Sequence, residues 1–349
     1  MMFNVHTETE DRLEGYFVPN SLSANISIRV VGDEVVLYSG PCDAVVEDLV
    51  RIGRHQTGLA SFTLDTTKIP ALRDVRELTI TDAESGFLIY RRNRPDRHIQ
   101  RRVFRLETCL PASNPYATTL APHFAYSLVD AHLYGQETLS QLFNLGNYSS
   151  MYFEGRVNVK PHQKHLSEGI YSIVSIEEPF VSLAKTLSHL CQGPHQVQCD
   201  LEEREVVALL PLAAYLEGIA ITDTDKLCRR LKSAPRPVLS AIESPLTGLL
   251  TGHTPGVGGA RRDIPSALNA LSYFDRTILG VDARSAHTEL GFELGLPPLA
   301  MPEIDRPIHI LALAEALKGV NALQLALEND LVVYHYLEQA TFPTQEGTR

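Results

Sequence analysis

The sequence predicts a two-part protein: a small β-sandwich over residues 1–90 joined, through an arginine-rich linker over 91–102, to an α/β domain over 103–349. Three observations predict it. Residues 13–90 alternate apolar and polar side chains between turn signals, the period-2 pattern of half-buried strands with little room for helices. Residues 91–105 then hold seven Arg, one Asp and Pro95, a helix breaker, as a linker would. Beyond residue 103, buried strand-like runs alternate with helix-spaced segments, as in a parallel sheet whose crossovers are helices.

In the first part, Ile26, Ile28 and Val30 share one face and Asn25, Ser27 and Arg29 the other. Gly32-Asp33 reads as a hairpin turn into Val35-Val36-Leu37-Tyr38. Residues 58–64 supply another short strand. Leu78-Thr79-Ile80, a turn over 82–86, and Phe87 to Tyr90 form a second pair. Nothing here has the residue types of a catalytic site, so this part reads as a structural or carbohydrate-facing module. In the second part, 103–106, 151–153 and 171–176 read as strands. Segments 117–143 (with Phe124, Leu128, Leu139 and Leu142 on apolar faces), 183–190, 206–216, 267–271 and the long tract 308–337 read as helices.

The chain has 31 Lys+Arg against 42 Asp+Glu, a formal charge of −11. That balance argues against non-specific binding to nucleic acid or anionic membranes, which needs clustered cations. The segment 91–105 is a local exception at +6, leaving −17 on the remainder. A nucleic-acid arm would want aromatic residues among the arginines, and none stands before Phe104, so pairing with the acidic remainder is expected instead. Five cysteines without a CxxC pair, no signal-peptide pattern, and no apolar run long enough to span a bilayer point to reduced thiols in a cytoplasmic setting.

Several segments of the second part together resemble the sulfotransferase family. Ser172 to Leu190 (SIVSIEEPFVSLAKTLSHL) is similar to its strand, Arg-Asp-Pro turn and helix. Ser244 to Gly252 (SPLTGLLTG) is similar to its Asn-Pro-Leu-Thr-Arg stretch. Ala267 to Gly280 follows its AxxxLxxFDxxG element, and Glu328 to Tyr336 its carboxy-terminal D-x-x-x-Y helix. Gly155-Arg156 stands where the family often has Gly-His. The resemblance covers roughly residues 100–340 and implies a P-loop-type parallel sheet with helices. The order of a strand, a Gly-Pro turn, an acidic helix-like turn and GLASFTLD in the first part resembles small β-domains attached to bacterial envelope-glycan enzymes.

What the resemblance implies chemically is a donor, 3′-phosphoadenosine 5′-phosphosulfate, held by a P-loop-like turn with its backbone N–H groups and a Lys. An Arg and a Ser take the 3′-phosphate, and a base deprotonates the acceptor hydroxyl. This sequence departs at each point. After its first strand it has Arg105-Leu-Glu-Thr-Cys-Leu-Pro-Ala-Ser113, with neither Lys nor Gly. Glu177 replaces the Arg of Arg-Asp-Pro, beside Glu178. The second Arg falls on Ser182, the Ser on Lys185, and Gly248 replaces the Arg of the Leu-Thr-Arg stretch. Two carboxylates at ~4 Å repel by several kcal/mol near a protein surface. The expectation is therefore a divergent sulfotransferase-like protein of bacterial glycan or cell-envelope biosynthesis, without the conventional donor as cofactor. The alternative is a non-catalytic scaffold that binds a glycan or protein partner and assembles as a homo-oligomer through the tract 308–337.

Candidate catalytic residues are His162 and Glu178. Lys185, Arg261 and Arg262 are candidates for an anionic cofactor, and Arg156, Thr247 and His253 for other ligands. His162, with His165 three residues on, suits a general base or phosphate contact, or else belongs to a solvated loop. The glycine-rich stretch Thr251 to Ala260, followed by Arg261-Arg262, suits an anion-wrapping loop or a mobile surface loop; it is no Walker sequence. His189, Cys191, His195 and Cys199 are metal-ligand types, but the seven-residue gap between the cysteines is wrong for zinc, so no metal is expected.

Overall fold

Period-2 alternation carries the amino-terminal residues into two four-stranded antiparallel sheets. The strands are β1 (Met2–Glu8), β2 (Arg12–Val18), β3 (Ser27–Gly32), β4 (Val35–Pro41), β5 (Ala44–Val45), β6 (Leu59–Asp65), β7 (Leu78–Asp82) and β8 (Leu88–Arg91), with a short helix α1 (Glu47–Arg51) between β5 and β6. One sheet runs β1-β2-β6-β5 and the other β4-β3-β7-β8. Their apolar faces meet at Phe87, whose ring centroid lies 5.2 Å from Phe3 and 5.8 Å from Phe17. Gly15 lets β1 and β2 approach, since a Cβ there would lie 2.5 Å from the Asn4 carbonyl oxygen. The β3–β4 turn holds Asp33 and Glu34 at φ of 47° and 69°, the doubly left-handed form that matches strand twist.

The computed structural model describes residues 1–22, 25–110, 116–193, 201–254, 256–257, 259–280, 283–296 and 307–342. Contacts group the chain into two compact units, Met1–Arg102 with Leu120–Phe153, and Val103–Thr119 with Glu154–Arg349. The arginine-rich segment pairs with acids as charge balance suggests: Arg92 with Glu8 at 3.5 Å, Arg94 with Glu77 at 3.0 Å and Asp96 at 2.8 Å, and Arg97 with Glu77.

The remaining strands are β9 (Arg102–Glu107), β10 (Tyr126–Leu128), β11 (Met151–Gly155), β12 (Tyr171–Ile176) and β13 (Arg276–Leu279), forming one five-stranded parallel sheet in the order β10-β11-β9-β12-β13. Helices α2 (Gly135–Asn144), α3 (Gln163–Ser167), α4 (Pro179–Leu190), α5 (Glu203–Leu216), α6 (Thr224–Lys232), α7 (Arg236–Leu239), α8 (Pro245–Thr251), α9 (Ile264–Leu271), α10 (Ala283–Glu293), α11 (Ile308–Lys318), α12 (Asn321–Ala326) and α13 (Glu328–Thr341) follow among the described residues. In the second unit α4, α5, α6, α11 and α12 bury a common core that includes Leu187, Leu212, Leu227, Leu231, Leu317 and Leu323, all fully enclosed. Each such side chain contributes on the order of 2 kcal/mol of burial. Among the described residues no helix is long and apolar enough to cross a membrane.

Two segments differ from their expected form. Residues 117–143 are not one helix-spaced run: Tyr126 and Leu128 are buried with Ser127 turned outward, a strand, and only α2 is α-helical. Pro122, which has no N–H, sits in a single 3₁₀ turn, and Asp130 at φ 52° interrupts the backbone before α2. The tract 308–337 is broken into three helices: Gly319 ends α11 and Val320 is extended, and Leu327, at φ −95° and ψ 7°, separates α12 from α13. Its apolar face lies largely within the core, with Ile310, Leu313 and Leu317 buried while Ile308 and Leu325 stay exposed.

Candidate functional site

The order of the parallel sheet has a consequence for ligand placement. The chain leaves β9 for β10, returns to β11, then crosses to the opposite side of β9 for β12 and β13. Loops leaving the carboxyl ends of β9 and β12 therefore diverge, and such a switch point is where open α/β sheets place ligands. A cavity of about 30 Å³ sits there. Its lining includes Thr108 and Leu110 after β9, Glu177 and Pro179 after β12, Leu246 on α8 and Asp330 on α13.

The loop after β9 is held by side chains from several elements. Arg156, just past β11, donates from Nη1 to the carbonyls of Thr108 (2.6 Å) and Cys109 (3.1 Å) and from Nε to Glu205 of α5 (2.6 Å). The Cys109 N–H donates to the side chain of Glu107 at 2.8 Å. The Thr108 hydroxyl donates to the Ser175 carbonyl at 2.6 Å, and the Thr186 hydroxyl to the Leu110 carbonyl at 3.0 Å. Burial pushes the Cys109 thiol up to about 12, with Glu107 adding to the shift. Beneath the loop, Arg105 is enclosed between Glu107 (2.9 Å) and Glu154 (3.1 Å), with the Tyr116 ring 4.4 Å from its guanidinium. The Tyr116 hydroxyl in turn bonds His287.

After β12 the two adjacent glutamates have separate roles. Glu178 caps α4, accepting from the Val181 N–H at 2.9 Å, and its pKa is raised because burial opposes its charge. Glu177 pairs with Lys185 at 3.2 Å. Burial opposes the Lys185 charge, but Cys109 and Glu177 outweigh it and raise the ammonium above its ordinary value.

The SPLTGLLTG and D-x-x-x-Y segments meet in space. Asp330 Oδ1 accepts from the Thr247 N–H (2.8 Å) and hydroxyl (2.7 Å), and its Oδ2 accepts from the Leu246 N–H (3.0 Å). Asp330 is thus a side chain from α13 that caps the first turn of α8. Burial nevertheless pushes it up to about 6, against these hydrogen bonds, which lower it.

Lys185, Thr247 and Arg156 each reach the cavity through one lining residue: Glu177, Asp330 and Thr108. The other candidates are not among the residues that line the cavity. His162 is buried, which pushes it down to about 4, with His165 adding to the effect, so it is neutral and a weak base at pH 7. His253 pairs with Asp263 at 3.2 Å, and the Ala260 N–H donates to the same carboxylate oxygen at 2.6 Å. The Gly259 carbonyl accepts from Asn329 at 2.8 Å, so the described part of the glycine-rich stretch is tied to the fold. Arg261 pairs with Glu328, and Arg262 is exposed. His195, Cys199, Pro255, Gly258 and residues 111–113 lie outside the described residues.

The sequence marks Asp330 only as the Asp of the D-x-x-x-Y element, with no role, and does not mark the Arg105–Glu107–Glu154 cluster. The signal available was a charge inside an apolar strand run, as in VFRLE and MYFEG. A strand covered on both faces must pair such a charge within the fold.

The Cys109 N–H is already used by Glu107, and both Lys185 and Arg156 are paired with carboxylates. A cavity of about 30 Å³ is also far below the several hundred Å³ that drug-sized ligands occupy. No family model, curated protein or solved structure matches the chain.

Proposed function

We propose that this chain is a divergent sulfotransferase-like protein of bacterial glycan or cell-envelope biosynthesis whose switch-point site does not hold 3′-phosphoadenosine 5′-phosphosulfate. The observation that carries this reading is the self-pairing of the donor-side cations: Lys185 on Glu177, and Arg156 on Glu205 and the loop carbonyls. A phosphate arriving there would have to displace carboxylates already bonded to the groups it needs. The parallel sheet, the cavity at the carboxyl ends of β9 and β12, and the meeting of the two motif segments at Asp330 support the fold half of the reading. The cavity's small volume favours a second reading, a non-catalytic scaffold whose glycan or protein partner binds elsewhere on the chain.

Thermal unfolding of the full chain with adenosine 3′,5′-bisphosphate tests the proposal. A ligand at 100 times its Kd stabilises by about 2.7 kcal/mol, which moves Tm by several degrees. The expected result is no rise in Tm that depends on Lys185. A saturable rise in the wild-type chain that Lys185→Ala removes would overturn the proposal.

A further inference from the structure

Away from the switch point, the carboxyl end of α5 and one face of α6 border an open hollow of about 540 Å³, lined by Glu217, Gly218, Ile219, Lys226, Arg229, Arg230 and Ser233. Lys226, Arg229 and Arg230 stand at i, i+3 and i+4 on α6, so one helical face presents all three cations. All three are exposed, and among the described residues none makes an ion pair. This contrasts with Arg54, Arg94, Arg105, Arg156, Lys185 and Arg276, each held by a carboxylate.

The two guanidinium groups are also oriented. Arg230 stacks 4.1 Å from the Tyr215 ring centroid, and its Nε donates to the Tyr215 carbonyl at 3.2 Å. Arg229 Nε donates to the Asp225 carbonyl at 3.2 Å. Each guanidinium is thus held by its Nε, which reduces the ordering lost when an oxyanion binds. Glu217 supplies a single carboxylate on the lining, an acceptor suited to hydroxyl groups carried beside the anion.

We propose that this hollow binds the phosphate or sulfate monoester of a sugar, the anion on Lys226, Arg229 and Arg230 and a sugar hydroxyl on Glu217. The site is independent of the switch-point cavity, so Lys185→Ala leaves it intact.

The test is calorimetric titration of the full chain, at constant ionic strength, with glucose 6-phosphate, glucose 6-sulfate and inorganic phosphate in separate arms. Saturable binding of at least one ester, tighter than inorganic phosphate, is expected, and the tighter ester identifies the source of the anion. Lys226→Ala/Arg229→Ala should weaken binding by about tenfold or more with an unchanged circular dichroism spectrum, because each lost charged hydrogen bond is worth that much. Arg12→Ala/Arg51→Ala, removing two exposed charges elsewhere, should not change it. Absence of binding by both esters, or a wild-type Kd in the double variant, would overturn the proposal. Should the double variant not fold, Lys226→Glu alone provides the same comparison.

Discussion

Asp330 shows how one residue's surroundings can oppose each other. Three donors from the first turn of α8 converge on its carboxylate, which favours the charged form, while complete burial favours the neutral one and prevails, at about 6. A carboxyl raised in the folded state contributes stability that is complete below its unfolded value of about 3.8 and is lost as pH rises through about 6. The stability difference between wild type and Asp330→Asn, from urea unfolding, should therefore favour wild type most near pH 4 and shrink by pH 7.5. A difference constant across that range would contradict the titration. At pH 7.5 the variant should still be weaker by about 1–3 kcal/mol, because the Asn amide sets a donor against the Leu246 or Thr247 donors. The D-x-x-x-Y spacing drew attention to this stretch of sequence, but spacing cannot say which distant N–H groups a carboxylate will cap.

At the level of elements, the β3–β4 hairpin illustrates a turn whose residues are not ideal for its geometry. Asp33 and Glu34 both adopt positive φ, and Glu has no local hydrogen bond that favours that region. Glu34→Gly should raise stability by about 0.5–1 kcal/mol, read as a higher urea midpoint with an unchanged m-value. An unchanged or lower midpoint would contradict the strain. This hairpin was legible because Ile26, Ile28 and Val30 keep a period of two up to Gly32. Strands β1, β10 and β13 were not read as such. β10 is three residues long, too short for any period to register, and β13 follows a helical run without a break in composition. The tract 308–337 carried a helical period throughout, but its division depends on Gly319, Val320 and Leu327 and on which face the core covers.

For the whole molecule, the net charge of −11 is distributed unevenly, and that distribution matters more than the total. Four arginines of the +6 segment pair with carboxylates outside it, Arg92 with Glu8, Arg94 and Arg97 with Glu77, and Arg105 with Glu107 and Glu154, while α6 keeps its cations exposed. The apolar surface follows the same logic. Leu313 on α11 is buried in the common core, so the tract that suggested assembly is largely consumed within the chain. Leu313→Asp should lower unfolding stability by about 3 kcal/mol or more, since it buries an unpaired charge and loses the leucine's packing. Light scattering after size exclusion gives the complementary reading. A variant that keeps wild-type stability but changes mass would identify Leu313 as an interface residue instead.

Local pattern was enough to establish the two kinds of architecture, antiparallel strands followed by a parallel sheet with helices. Period and turn chemistry act over a few residues and survive without knowledge of distant partners. Composition likewise foretold that the arginine-rich segment would pair with acids. Strand order, and with it the switch point, was decided only by tertiary structure, because pairing of β9 with β12 joins residues nearly seventy positions apart. The same holds for the site: whether Lys185 and Arg156 are available to a ligand depends on Glu177 and Glu205 reaching them first. Electrostatic pairing is set by distance in space, and no spacing along the chain records it.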